Sequence, residues 1–109
     1  MSRINTAWLL LIVAGLLEIG WPLGLKLSQS SERRVAGLAS AALCMAASGA
    51  LLWMAQRDIP IGTAYAVWTG IGAAGTFLIG IAFFEGPVSF MRVSSAGLIV
   101  VGVIGLKLA

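Results

Sequence analysis

A single acidic residue inside a long apolar stretch constrains this chain more than any other feature. Residues 4–25 lie between Arg3 and Lys26 and carry one charge, Glu18. Read as a helix, eleven steps of about 1.5 Å from Ala7 bring Glu18 roughly 16 Å along the axis. The hydrocarbon core of a bilayer is about 30 Å thick, so the carboxylate falls near its midplane. A charge at that depth costs at least about 2.5 kcal/mol. Intramembrane carboxylates mark substrate, ion or proton sites by default.

Lipid is the solvent this composition fits. Of 109 residues, 60% are hydrophobic and 10% charged, more apolar surface than a soluble domain of this size can hide. The charges punctuate the chain. Arg34 and Arg57 enclose 22 uncharged residues, and Asp58 and Glu85 enclose 26. The last run, Val93 to Leu106, is shorter, and snorkelling Arg92 and Lys107 extend it. The pattern predicts an all-α membrane protein with four transmembrane helices, roughly 6–26, 35–56, 60–84 and 89–108. The connections are too short for another domain, so 1–109 reads as one transmembrane domain. Arg3 and the apolar run after it fit a cleaved signal peptide. The run's length, Glu18 and the three further spans argue against one.

Several functional classes drop out. The net charge of +3 comes from cations at helix ends, as membrane helices normally carry them, so no nucleic acid partner is expected. There is no histidine, and the lone Cys44 sits inside the second span as a small packing residue. No nucleophile with its base is visible. Neither an enzyme nor a metal or cofactor is expected.

Orientation in a bilayer follows the Lys and Arg bias. Arg3, Arg57 and Lys107 fall on one side; Lys26, Arg33, Arg34 and Arg92 fall on the other. Three against four is almost no bias. It fits one weakly determined orientation, or dual topology with both orientations paired as an antiparallel homodimer. Four helices can hardly enclose a polar cavity and also pack together; eight can. A dimer would bring two Glu18 carboxylates to a shared midplane, as inverted repeats do within one chain. Gly97, Gly102 and Gly105, and Ala42, Ala46 and Ala50, form small-residue stripes that fit packing within the chain or between copies equally well.

Around Glu18, helical spacing puts Gly15, Trp21, Pro22 and Leu25 on one face. Trp8 and Trp53 lie near helix ends and fit interfacial anchors. Trp21 lies deeper and fits a pocket wall. Pro22 lacks the N–H that would bond the Glu18 carbonyl, so the first helix is expected to bend or loosen there. The third span opens Pro60-Ile61-Gly62-Thr63-Ala64-Tyr65-Ala66-Val67-Trp68-Thr69-Gly70-Ile71-Gly72-Ala73-Ala74-Gly75. Gly70, Gly72 and Gly75 match a dinucleotide fingerprint in form only, because no strand precedes them. They read instead as a helix able to bend during a conformational change. Tyr65 and Trp68 offer aromatic faces suited to an organic cation. Ser48, at similar depth, either bonds its own backbone or reaches toward Glu18.

Ala14-Gly15-Leu16-Leu17-Glu18-Ile19-Gly20-Trp21-Pro22-Leu23-Gly24-Leu25-Lys26 and the run from Ile59 to Gly72 resemble the small multidrug resistance family of proton-coupled exporters. Within it they are similar to the guanidinium-exporter branch. The resemblance covers nearly the whole chain. It implies an antiparallel homodimer in the bacterial inner membrane, with lipid, protons and guanidinium or a related small cation as partners. It also implies that Glu18 binds protons or substrate, with Gly15, Trp21, Ser48, Tyr65 and Trp68 lining the pocket. Pro22 departs from the family pattern, which bears on pocket width, and so does Glu85-Gly86-Pro87. The alternatives are an exporter of bulky quaternary ammonium ions, a subunit of a heterodimer, and a non-transporting membrane subunit.

Overall fold

Local sequence sets the helix ends. In the computed structural model, which describes residues 2–109, Ser2 caps the helix α1 (Arg3–Leu27) by accepting the Asn5 N–H at 3.1 Å. The helix therefore starts at Arg3, three residues before the expected position 6. A 3-10 turn over Ser31–Arg33 leads into α2 (Arg34–Ala55). Pro60 stands at the cap of α3 (Ile61–Phe83), where its missing N–H costs nothing. Ser89 caps α4 (Phe90–Leu108) through the Arg92 N–H at 3.2 Å. At about 1.5 Å per residue each helix can cross a bilayer or nearly so. Among the described residues these are four helices long and apolar enough to span a membrane, the all-α architecture expected. α1 passes through Pro22 without ending, so the proline removes one bond of the ladder and leaves the helix in place.

Glycines decide how closely the helices approach, because lipid gives apolar side chains no reason to leave it and packing must supply the attraction. α1 lies against both α2 and α3, and α4 packs chiefly on α3. Gly24 and Gly37 form the tightest crossing. A Cβ built on Gly37 would stand 2.6 Å from the Gly24 carbonyl and 2.6 Å from the Ser28 nitrogen. On the α1–α3 seam Gly15 lies under Ile71, Gly72 under Glu18 and Gly75 under Ile19. Gly70 faces the other way, toward Val103 of α4. These three α3 glycines, read from the sequence as bending points, are also places of close side-chain approach.

The buried core is small and lies toward one end. Ala7 and Leu11 of α1, Ala55 of α2, Ile59, and Ala64 and Val67 of α3 form it. At that end Arg3 pairs with Asp58 at 3.0 Å, Lys107 stands 4.8 Å over the Trp8 ring, and Arg57 stands 5.3 Å over Trp53. Both tryptophans thus sit beneath cations near helix ends, as interfacial anchors do. At the opposite end Glu85 adopts φ 56°, the left-handed conformation, and Gly86 N–H returns to the Gly80 carbonyl at 2.9 Å to close α3.

Two faces stay open. No residue of α4 is buried, and Cβ atoms on Gly97, Gly102 or Gly105 would meet nothing within 4 Å. Ala42, Ala46 and Ala50 of α2 are exposed as well. Neither stripe serves packing within the chain.

The contrast between the Gly24–Gly37 crossing and open positions gives a test. Gly37→Ala forces backbone atoms apart and should cost about 1–3 kcal/mol, as overpacking does. Gly49→Ala, with nothing within 4 Å, should be neutral. Thermal unfolding in detergent measures both, and equal midpoints would contradict this packing.

Candidate functional site

Glu18 projects from the middle of α1 and is half-buried. Its carboxylate accepts a hydrogen bond from the indole Nε1 of Trp21, one turn along the same helix. The i, i+3 spacing that puts both on one face makes that bond local. An N–H to a carboxylate is charge-assisted and therefore strong in a low dielectric. Glu18 is also seated against Gly72, where any Cβ would overlap its side chain. The absent side chain on α3 is what makes room for the carboxylate on α1.

A hollow of about 330 Å³ opens beside it. Glu18, Trp21 and Pro22 of α1 line it with Tyr65, Trp68, Thr69, Gly72 and Ala73 of α3. The α3 residues follow helical spacing and form one face. Tyr65 and Trp68 have ring centroids 5.6 Å apart with their planes tilted by 48°. Tyr65 is more than half exposed, so the hollow is open on that side. The one carboxylate in this wall shares the hollow with the Tyr65 and Trp68 rings, a combination that suits a cation.

Ser48 lies behind the wall. It is 1% exposed and is not part of the lining. Its hydroxyl donates to the Ala14 carbonyl at 2.6 Å and accepts from the Trp68 Nε1 at 2.8 Å. Neither bond goes to Glu18. They join three helices instead: Trp68 of α3 to Ser48 of α2 to Ala14 of α1. By the i to i−4 rule the Ala14 carbonyl also receives the Glu18 N–H. Ser48 thus fixes the Trp68 ring and the backbone beneath Glu18.

Of the residues singled out from sequence, Glu18, Trp21, Pro22, Tyr65, Trp68 and Gly72 come together around the hollow. Gly15 is buried under Ile71, one turn before Glu18, and serves the α1–α3 contact. Gly70 and Gly75 contact Val103 and Ile19 and stand outside the lining. Thr69 and Ala73 belong to the wall and were not singled out. The signal was present: both fall at four-residue steps from Tyr65.

A multi-pass helical membrane protein with one carboxylate in an aromatic-walled hollow fits the transporter class. Sequence comparison narrows it. A family profile described as Small Multidrug Resistance protein matches residues 6–99. The guanidinium exporter of Yersinia pseudotuberculosis serotype I (strain IP32953) is 50% identical over 103 residues, covering 94% of this chain and 98% of that protein. The guanidinium exporter of Escherichia coli (strain K12) is 45% identical over 103 residues, covering 94% and 97%. A Salmonella typhimurium protein of the same name matches at 45% over the same shares. The chain belongs to the small multidrug resistance family. It is a membrane transporter rather than an enzyme.

Ser48→Ala removes the acceptor of Trp68 and the donor to Ala14. It should lower stability by about 1–3 kcal/mol, the cost of leaving buried polar groups unpaired. Thermal unfolding reads the loss, and tryptophan fluorescence should report a freed Trp68 ring. An unchanged melting midpoint would contradict the three-helix link.

Proposed function

We propose that this chain exports guanidinium and small guanidinyl cations in exchange for protons, acting as an antiparallel homodimer in the bacterial inner membrane. The observation that carries the reading is the Glu18 carboxylate at mid-helix in an aromatic-walled hollow open on one side. The names of the relatives point to the same cation.

Guanidinium is flat and presents N–H groups in forks that match a carboxylate bidentately. The Tyr65 and Trp68 rings can cover its face. Each copy would form one four-helix domain and bring one Glu18 to the shared site. The open faces of α4 and α2, with their small residues, give a second copy somewhere to pack. Two carboxylates brought together in a low dielectric repel, and either a cation or protons relieve that repulsion. Substrate and protons therefore compete for the same oxygens. If only a loaded site changes its exposure, proton entry from one side drives cation exit to the other. Gly15, Trp21, Ser48, Tyr65 and Trp68 would shape the site, and Pro22, Gly70, Gly72 and Gly75 would permit the conformational change.

A second reading follows from the aromatic wall, which also suits a quaternary ammonium ion lacking N–H donors. Reconstituted protein separates the two. Guanidinium should drive proton movement, and a tetraalkylammonium ion should drive much less; the reverse preference would favour the multidrug reading. Glu18→Gln should abolish coupled transport. Robust proton-coupled export by that variant would sink the mechanism.

A further inference from the structure

Two hydroxyls stand in the wall of the hollow, those of Tyr65 and Thr69, and neither makes a hydrogen bond among the described residues. In a membrane span Ser and Thr commonly bond a carbonyl of their own helix. Thr6 donates to the Ser2 carbonyl at 3.0 Å, Ser28 to Leu25 at 2.6 Å, and Ser95 to Met91 at 2.7 Å. Ser48 is engaged on both sides, donating to Ala14 and accepting from Trp68. Thr69 lines the hollow and makes no hydrogen bond among the described residues.

Donor and acceptor chemistry then matters. Both indoles of the wall are donors only. Trp21 already donates to Glu18, and Trp68 to Ser48. A guanidinium ion is all donors, so neither indole can receive its N–H groups. The two Glu18 carboxylates of a dimer can take two forks of the cation, which leaves the N–H groups on its third edge without partners. Leaving such a group unpaired in a water-poor site costs about 1–3 kcal/mol. The neutral side-chain acceptors in the wall are the hydroxyls of Tyr65 and Thr69, one turn apart on α3.

We infer that Thr69 is a substrate-binding residue whose hydroxyl accepts an N–H of the cation on an edge that Glu18 does not hold. It thereby selects N–H-bearing cations over quaternary ones. This rests on the guanidinyl-export reading above. A quaternary ammonium ion has no N–H to offer and gains nothing from the hydroxyl.

The test uses full-length protein in proteoliposomes, with guanidinium-driven proton movement as readout. Thr69→Val keeps the shape and removes the hydroxyl. It should raise KM for guanidinium roughly tenfold, the factor one hydrogen bond represents, and leave the maximal rate near wild type. Thr69→Ser should return KM toward wild type, which a mere packing role of the methyl group would not produce. Should Thr69→Val fail to insert, Thr69→Ala carries the same expectation. An unchanged KM in the hydroxyl-free variant, or a Ser variant as impaired as Val, overturns the inference while wild-type export stands. Wild-type vesicles in which guanidinium moves no protons would overturn the export reading itself, and this inference with it.

Discussion

A carboxylate in hydrocarbon needs a donor, and in this protein Trp21 supplies it from one turn along the same helix. Everything near the site is arranged around that pair. The indole is fixed by the helix that carries the carboxylate, so the bond needs no distant element to form it. It leaves the other carboxylate oxygen for a ligand. Because the donor is a neutral indole, it brings no positive charge to compete with a cation and adds an aromatic face to the wall.

Holding the pair at depth requires α3 to come close, and residues without side chains make that possible. Gly72 gives way to Glu18, Gly15 to Ile71 and Gly75 to Ile19. The same helix turns its larger residues, Tyr65 and Trp68, toward the hollow one to two turns before Gly72. Ser48 completes the frame from α2 by bonding both the Trp68 indole and the Ala14 carbonyl. Three helices are thereby fixed around one cavity. α4 packs chiefly on α3, through Val103 and Ile99, and has no fully buried residue.

Much of this was legible in the residues. The apolar runs between Arg3 and Lys26, Arg34 and Arg57, and Asp58 and Glu85, uncharged apart from Glu18, marked out the first three spans, because charges cannot enter hydrocarbon cheaply. Helical spacing brought Trp21 to Glu18 and Tyr65 to Trp68. What spacing could not give was contact across helices. Ser48 looked equally able to bond its own backbone or reach Glu18; it bonds neither its own helix nor Glu18, because its partners lie on α1 and α3. The glycines of α3 suggested a bendable helix, and the neighbours that fill their missing side chains became visible only with the helices packed. The effect of Pro22 on α1 also depends on context, since the surrounding helix continues through it. The stripes on α2 and α4 fitted two roles until packing left both exposed.

The central claim is that a guanidinyl cation and protons occupy the same Glu18 oxygens in turn. Proton release on binding tests it without vesicles or gradients. Guanidinium is added to detergent-solubilised protein in very weak buffer while pH is followed. The account predicts a saturable acidification for wild type and none for a Glu18→Gln control. Saturable guanidinium binding with no proton release at any pH across the acid-to-neutral range would contradict it.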